Sequence, residues 1–209
     1  MEHGTKKSGF VLILTILVIV LFVTCIKLWV DRSNALRIAD EYKTAFESAQ
    51  EAKMTAEQYQ TSYNQLVSDM LQDAVLAENI GNLTVKVWNN AIWQKRDADT
   101  DKFTMVNDQF VADFNDALTN LASDESFSSD ISILSENQQQ TKALMKEMLD
   151  PPEGYENAFK ALEGMYNAYI NLTNIVLSGN GSLESYSNEF SEADKELSEQ
   201  YQAADLYVK

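Results

Sequence analysis

Four aspartates in the stretch "DADTDKFTMVND" have the spacing a calcium ion would use. Asp97, Asp99, Asp101 and Asp108 stand at the first, third, fifth and twelfth places of a loop whose oxygens could ring a hard cation. Two departures count against it. Lys102 occupies the place where glycine makes the sharp turn, and Asp108 is shorter than the bidentate glutamate that closes such a loop. Phe103 also opens a helical stripe. The stretch is therefore expected to be a helix break with acidic caps, and no metal or other cofactor is expected.

A second constellation is aromatic. Trp88 and Trp93 fall near the end of a long helical stretch, and Tyr155, Tyr166 and Tyr169 could face them. Trp88, Trp93, Tyr166 and Tyr169 are the candidates for lining a small-molecule pocket. Core packing with hydroxyls reaching solvent is the commoner use of such side chains. Acid–base and nucleophilic chemistry finds little to work with. The single histidine, His3, lies in the short tail before an apolar run, and the single cysteine, Cys25, lies inside that run. Carboxylates are plentiful, but none joins a nucleophile and a base in a recognisable pattern. No catalytic residues and no enzymatic activity are expected.

Composition narrows the partners. Residues 31–209 carry 31 acidic and 13 basic side chains, a net charge of −18. Such a surface repels phosphate backbones, so nucleic acid is not an expected partner. Two prolines and seven glycines in 209 residues favour long helices over a strand-and-turn fold.

The positioning elements begin with "KKSGFVLILTILVIVLFVTCIKLWVD". Fourteen of the seventeen residues from Phe10 to Ile26 are Leu, Ile, Val or Phe. With Lys27 able to snorkel and Trp29 suited to the interface, the usable span is about 20 residues, enough to cross a bilayer. A cleaved signal is usually shorter and ends on small residues. "LFVTC" is a poor lipoprotein box at Cys25, though lipidation there stays open. The expected organisation is a tail at 1–9, a transmembrane anchor at 10–30, a helical stalk at 31–64 and a helical bundle at 65–209. Lys6 and Lys7 abut the apolar run like the start of an export signal, which favours an extracytoplasmic bundle. The positive charges after the span lean the other way.

After the anchor a heptad seam runs through Tyr42, Ala49, Ala56, Tyr63, Met70, Ala77, Thr84 and Ala91, paired with Ala45, Ala52, Tyr59, Leu66, Asp73, Ile80 and Val87. It predicts one helix from about residue 32 to about residue 96, with an acidic miss at Asp73 and a kink at Gly81. Further stripes predict helices over 101–122 and from 131 to 148, then one begun by "LDPPE" with Asp150 as cap and Pro151 in the first turn. A last helix follows the "SGNGS" loop. One-sided stripes joined by short loops make an all-α, up-and-down bundle of four to five helices.

The segment from Leu149 to Leu197 resembles one found in uncharacterised membrane-anchored and lipoprotein-like extracytoplasmic helical proteins of Gram-positive bacteria. The resemblance rests on Pro151, Pro152, Tyr155, Tyr166, Tyr169, Gly181, Ser182, Leu183 and Tyr186. It implies an envelope-facing helical domain and no particular activity.

The expected function is a binding or scaffold module of the cell envelope, held in the cell membrane and acting on another membrane or envelope protein or on a second copy of itself. Tyr42, Ala49, Ala56, Tyr59 and Tyr63 are the candidate assembly residues, because they form a seam without obvious partners in the chain. The alternative is an ectodomain that senses a small molecule or ion with a separate membrane partner.

Overall fold

The computed structural model describes residues 27, 32, 34, 36–44 and 54–209. Two compact units divide the chain, Met1–Lys53 and Met54–Lys209. In the first, the described residues are helical and exposed, and Arg37 pairs with Glu41 one turn away. The apolar run at 10–26 lies outside the described residues. No helix among the described residues is long and apolar enough to cross a membrane.

The second unit is built of helices, their connecting loops and one short hairpin. Its elements are α1 (Ala56–Trp93), a single helical turn α2 (Asp101–Thr104), β1 (Met105–Val106), β2 (Gln109–Phe110), α3 (Phe114–Ala122), α4 (Glu125–Glu147), α5 (Glu156–Ser178) and α6 (Leu183–Asp205). The expected all-α class holds. Four long helices alternate in direction. Tyr59 near the start of α1 reaches Met148 just past α4 and stacks edge-on against Tyr155 before α5. Tyr63 reaches Ala204 at the end of α6. So α1 and α5 run one way, and α4 and α6 run the other.

The seam is the inward edge of α1. Tyr59, Tyr63, Leu66, Met70, Asp73, Ala77, Ile80, Val87 and Ala91 are all buried. Against them lie Leu134 and Met145 of α4, Leu162, Met165 and Leu172 of α5, and Phe190 and Leu197 of α6. Burying each large aliphatic side chain contributes about 1.5–3 kcal/mol. A second small core of Val87, Ala91, Phe103, Ala117 and Leu121 holds α2 and α3 against the last turns of α1.

Four expectations about the elements are corrected. The first helix does not run through residue 55. Thr55 is extended and caps α1 in a box with Gln58, which satisfies amide groups that a continuous helix would pair internally. The compact unit accordingly begins at Met54 rather than at 65. The stripe at 101–122 is not one helix. Asn107 and Asp108 both take positive φ (51° and 60°), which reverses the chain into the β1–β2 hairpin. Asp150 and Pro151 do not start α5. Pro152 disfavours helical backbone at the residue before it, and the helix begins only at Glu156, after Gly154 at φ 87°. Gly81, the expected kink, does not interrupt α1. It sits inside α1, where a Cβ would overlap the Phe190 ring, so glycine there permits close approach of α6.

Candidate functional site

A buried carboxylate stands at mid-height of the bundle. Asp73 is the acidic position in the seam, and it is only 4 % exposed. α5 brings Tyr169, whose hydroxyl donates to Asp73 Oδ2 at 2.9 Å, and α4 brings Asn137, whose Nδ2 donates to Oδ1 at 2.7 Å. Burial, and then the negative charge of Asp73, push the Tyr169 hydroxyl well above its ordinary pKa. The network continues outward. Gln138 Nε2 donates to Thr173 Oγ1 at 2.6 Å, and Thr173 donates to the Tyr169 carbonyl at 2.8 Å. Both partners of Asp73 are neutral donors, and the described ion pairs of the bundle lie elsewhere.

Beside this node the surface opens into a polar crevice of about 160 Å³ between α1 and α4. Asp69, Gln72, Asp73, Asn137, Gln140 and Thr141 line it, and Leu144 closes one side. Leu144 also lines a more apolar space of about 190 Å³ farther along the same two helices, with Met54, Leu66 and Glu147. The two spaces lie along the same pair of helices, the first polar and the second more apolar, with Leu144 in the wall of both. They exist because α4 buries little of its length, only Leu134, Thr141 and Met145, and carries amides where a tighter helix would carry apolar residues.

The four expected pocket aromatics do not meet. Tyr169 approaches α1 at Asp73, whereas Trp88 lies fifteen residues farther along that helix, about 22 Å at 1.5 Å per residue. Trp88 packs instead against Phe114 and Tyr186, with ring centroids 6.0 and 6.2 Å away, and its buried Nε1–H has no protein acceptor. Tyr166 is half-buried on α5. Trp93 is 66 % exposed.

The candidate assembly residues also separate. Tyr42 is exposed and helical in the first unit, Ala49 lies outside the described residues, and Ala56 is exposed in the first turn of α1. Tyr59 and Tyr63 are fully buried, and the expectation that they lack partners in the chain is corrected. Their hydroxyls donate to the carbonyls of Met148 (3.2 Å) and Ala204 (2.8 Å). Burial pushes the Tyr59 hydroxyl up to about 12. These side chains belong to the bundle core because the seam finds its partner helices within the same unit.

The calcium-like spacing resolves into turn chemistry. Asp97 accepts from the Asp99 amide, and Lys86 bridges Asp97 and Asp99 at 3.1 and 2.7 Å. The Asp99 amide first, and Lys86 next, hold the Asp97 carboxyl below its ordinary range. Arg96 pairs with Asp101 at 3.3 Å and reaches Asp108 at 3.9 Å, which ties the hairpin turn to the end of α1. Among the described residues no three carboxylate, cysteine or histidine groups are arranged to hold a metal ion.

The end of α1 therefore gathers exposed apolar side chains around a charged loop. Trp93 and Ile92 close the helix, Phe114 leans on Trp88, and Val106 projects from the hairpin at 57 % exposure. The opposite end exposes Leu149, Leu206 and Val208, all aliphatic, around the point where the chain joins the bundle. The sequence singled out Trp93 but not Ile92, Val106 or Phe114, because the broken helix at 101–122 placed the last two on a buried stripe. Asp73 was visible as the one acid in the seam, which is the signal that could have found the node. No protein-family model, curated protein or solved structure matches the chain.

Proposed function

We propose that this protein is a membrane-tethered binding module, without catalytic activity of its own, that presents its helical bundle to another membrane or envelope protein. The observation that carries this is the exposed aromatic end of α1. A 38-residue helix is about 57 Å long. Trp93 stands at the C-terminal end of that helix, with Ile92, Phe114 and Val106 at the same end. Exposed tryptophan beside charged side chains suits the centre of a protein contact. Lys86, Lys95, Arg96 and Lys102 stand with Asp97, Asp99, Asp101 and Asp108 near this end, so the complementary face is apolar at its centre and carries both signs of charge at its rim. The apolar run at 10–30 supports single-pass anchoring in the cell membrane. Lys6 and Lys7, with the resemblance of residues 149–197 to extracytoplasmic proteins, support an outside placement.

The test is photo-crosslinking in cells, using the full chain with p-benzoylphenylalanine at Trp93 and, as control, at exposed Lys195 on α6. A discrete adduct from the membrane fraction at 93 and none at 195 is expected. Absence of any adduct at 93, or equal adducts at both positions, refutes the contact at Trp93. The sensing alternative draws its support from the groove beside Asp73.

A further inference from the structure

We infer that the groove between α1 and α4 binds a small primary amine with an apolar stem, its ammonium group seated beside Asp73. This gives the sensing alternative its ligand and is independent of the contact at Trp93. A carboxylate offers about four lone-pair positions, and Asp73 has two of them taken by neutral donors. Burying a negative charge without a cation is costly, and a bound ammonium relieves that cost. Asp69, one turn earlier on α1, adds a second negative charge to the same wall. Gln72, Gln140 and Thr141, each with a side-chain oxygen able to accept, line the same space, which suits a head group with three N–H donors and no acceptor.

The stem follows from the more apolar space. Leu144 lines both spaces, and Leu66 lies seven residues before Asp73 on α1, about 10 Å along the helix. A linear aliphatic chain leaving the ammonium therefore runs past Leu144 towards Leu66 and Met54. Glu147 at that end, with Asp69 and Asp73 at the other, repels an anionic ligand of the same length.

The experiment is a methyl NMR titration of the full chain in lipid nanodiscs, with leucine and methionine methyls labelled. The probes are n-hexylamine, hexan-1-ol and hexanoate at pH 7.5. Saturable shifts at Leu144, Leu66 and Met54 are expected with hexylamine, at least tenfold tighter than with hexanol. Asp69→Asn is expected to weaken hexylamine several-fold, and Asp73→Asn to abolish the preference for the amine over the alcohol. Asp69 lies outside the buried core, so its variant and the alcohol comparison decide the matter even where Asp73→Asn disturbs folding. Hexanol or hexanoate binding as tightly as the amine overturns the amine assignment and leaves the groove as a sensing site. The absence of a saturable shift from all three probes overturns both.

Discussion

Removing one oxygen from the buried node tests whether Asp73 is held there as a charge. Tyr169→Phe deletes the hydroxyl that donates to Asp73 Oδ2 at 2.9 Å and leaves the ring in place. The remaining donor, Asn137, reaches only Oδ1. A hydrogen bond to a buried charged group contributes about 1.5–3 kcal/mol, against about 0.5–1.5 kcal/mol for a neutral pair. Tyr169→Phe should therefore cost about 1.5–3 kcal/mol. In a chain of this size that lowers the melting temperature by about 3–12 °C. In the background of Asp73→Asn, where the acceptor is a neutral amide, the same change should cost only about 1 kcal/mol. The double-mutant cycle then carries a coupling of about 0.5–2 kcal/mol. The assay is thermal unfolding of the full chain in mild detergent, followed by circular dichroism at 222 nm. A loss below about 0.5 kcal/mol for Tyr169→Phe, or equal losses in both backgrounds, would show that solvent from the crevice already satisfies the carboxylate.

Gly81→Ala should destabilise by about 1–3 kcal/mol, despite alanine's better helix propensity, because its Cβ overlaps the Phe190 ring; Gly81→Ala with Phe190→Leu should recover part of the loss, and a stabilised single variant would refute the close approach. Glu78 on α1 has its carboxyl pKa raised by burial first and then by the facing Asp194 carboxylate of α6. The folded chain therefore holds that proton to higher pH than the unfolded chain, and this contribution to stability is full in acid and falls as pH rises through the carboxylate range. Glu78→Gln should remove that slope and stabilise the bundle at pH 7 by under about 1 kcal/mol, since the pair is only partly buried and solvent screens it. Urea midpoints at pH 4, 5.5 and 7 check it, and a slope unchanged in the variant counts against it. Asp124 works in the opposite sense, only in stronger acid. Lys102, then Ser126 and the Phe127 amide, hold its carboxyl below the ordinary range, so its contribution is lost as pH falls.

Periodicity made most of this architecture legible. The α5 and α6 stripes, the glycine loop between them and the Ser182 cap follow directly from sequence, with Gly179 at φ 56° closing α5 and Ser182 boxed with Ser185. The heptads of α1 also identified its buried edge. They could not say whose helices would cover it, because a seam records only that a surface wants burial. Tyr59 and Tyr63 were thus assigned to a stalk when they belong to the core. Periodicity also outvoted local turn chemistry. Thr55 with Gln58, and Asn107–Asp108 between Met105–Val106 and Gln109–Phe110, are readable as a cap and a hairpin, yet each interrupts an apolar repeat that otherwise reads as continuous. The aromatic pocket failed for a simpler reason. Sequence gives a residue's face but not its height, and Trp88 and Tyr169 sit at different levels of the bundle.

The order in which the chain is made meets this topology awkwardly. The acceptors for the Tyr59 and Tyr63 hydroxyls lie 89 and 141 residues downstream, so the first long helix of the bundle to be synthesised is the last to be completed. The part of its apolar edge that faces α6 stays wet until that helix has been synthesised, and only then can the four long helices close together. Maturation of this bundle is thus a late, long-range event, and the newborn first helix is the part of the molecule most in need of a chaperone's cover.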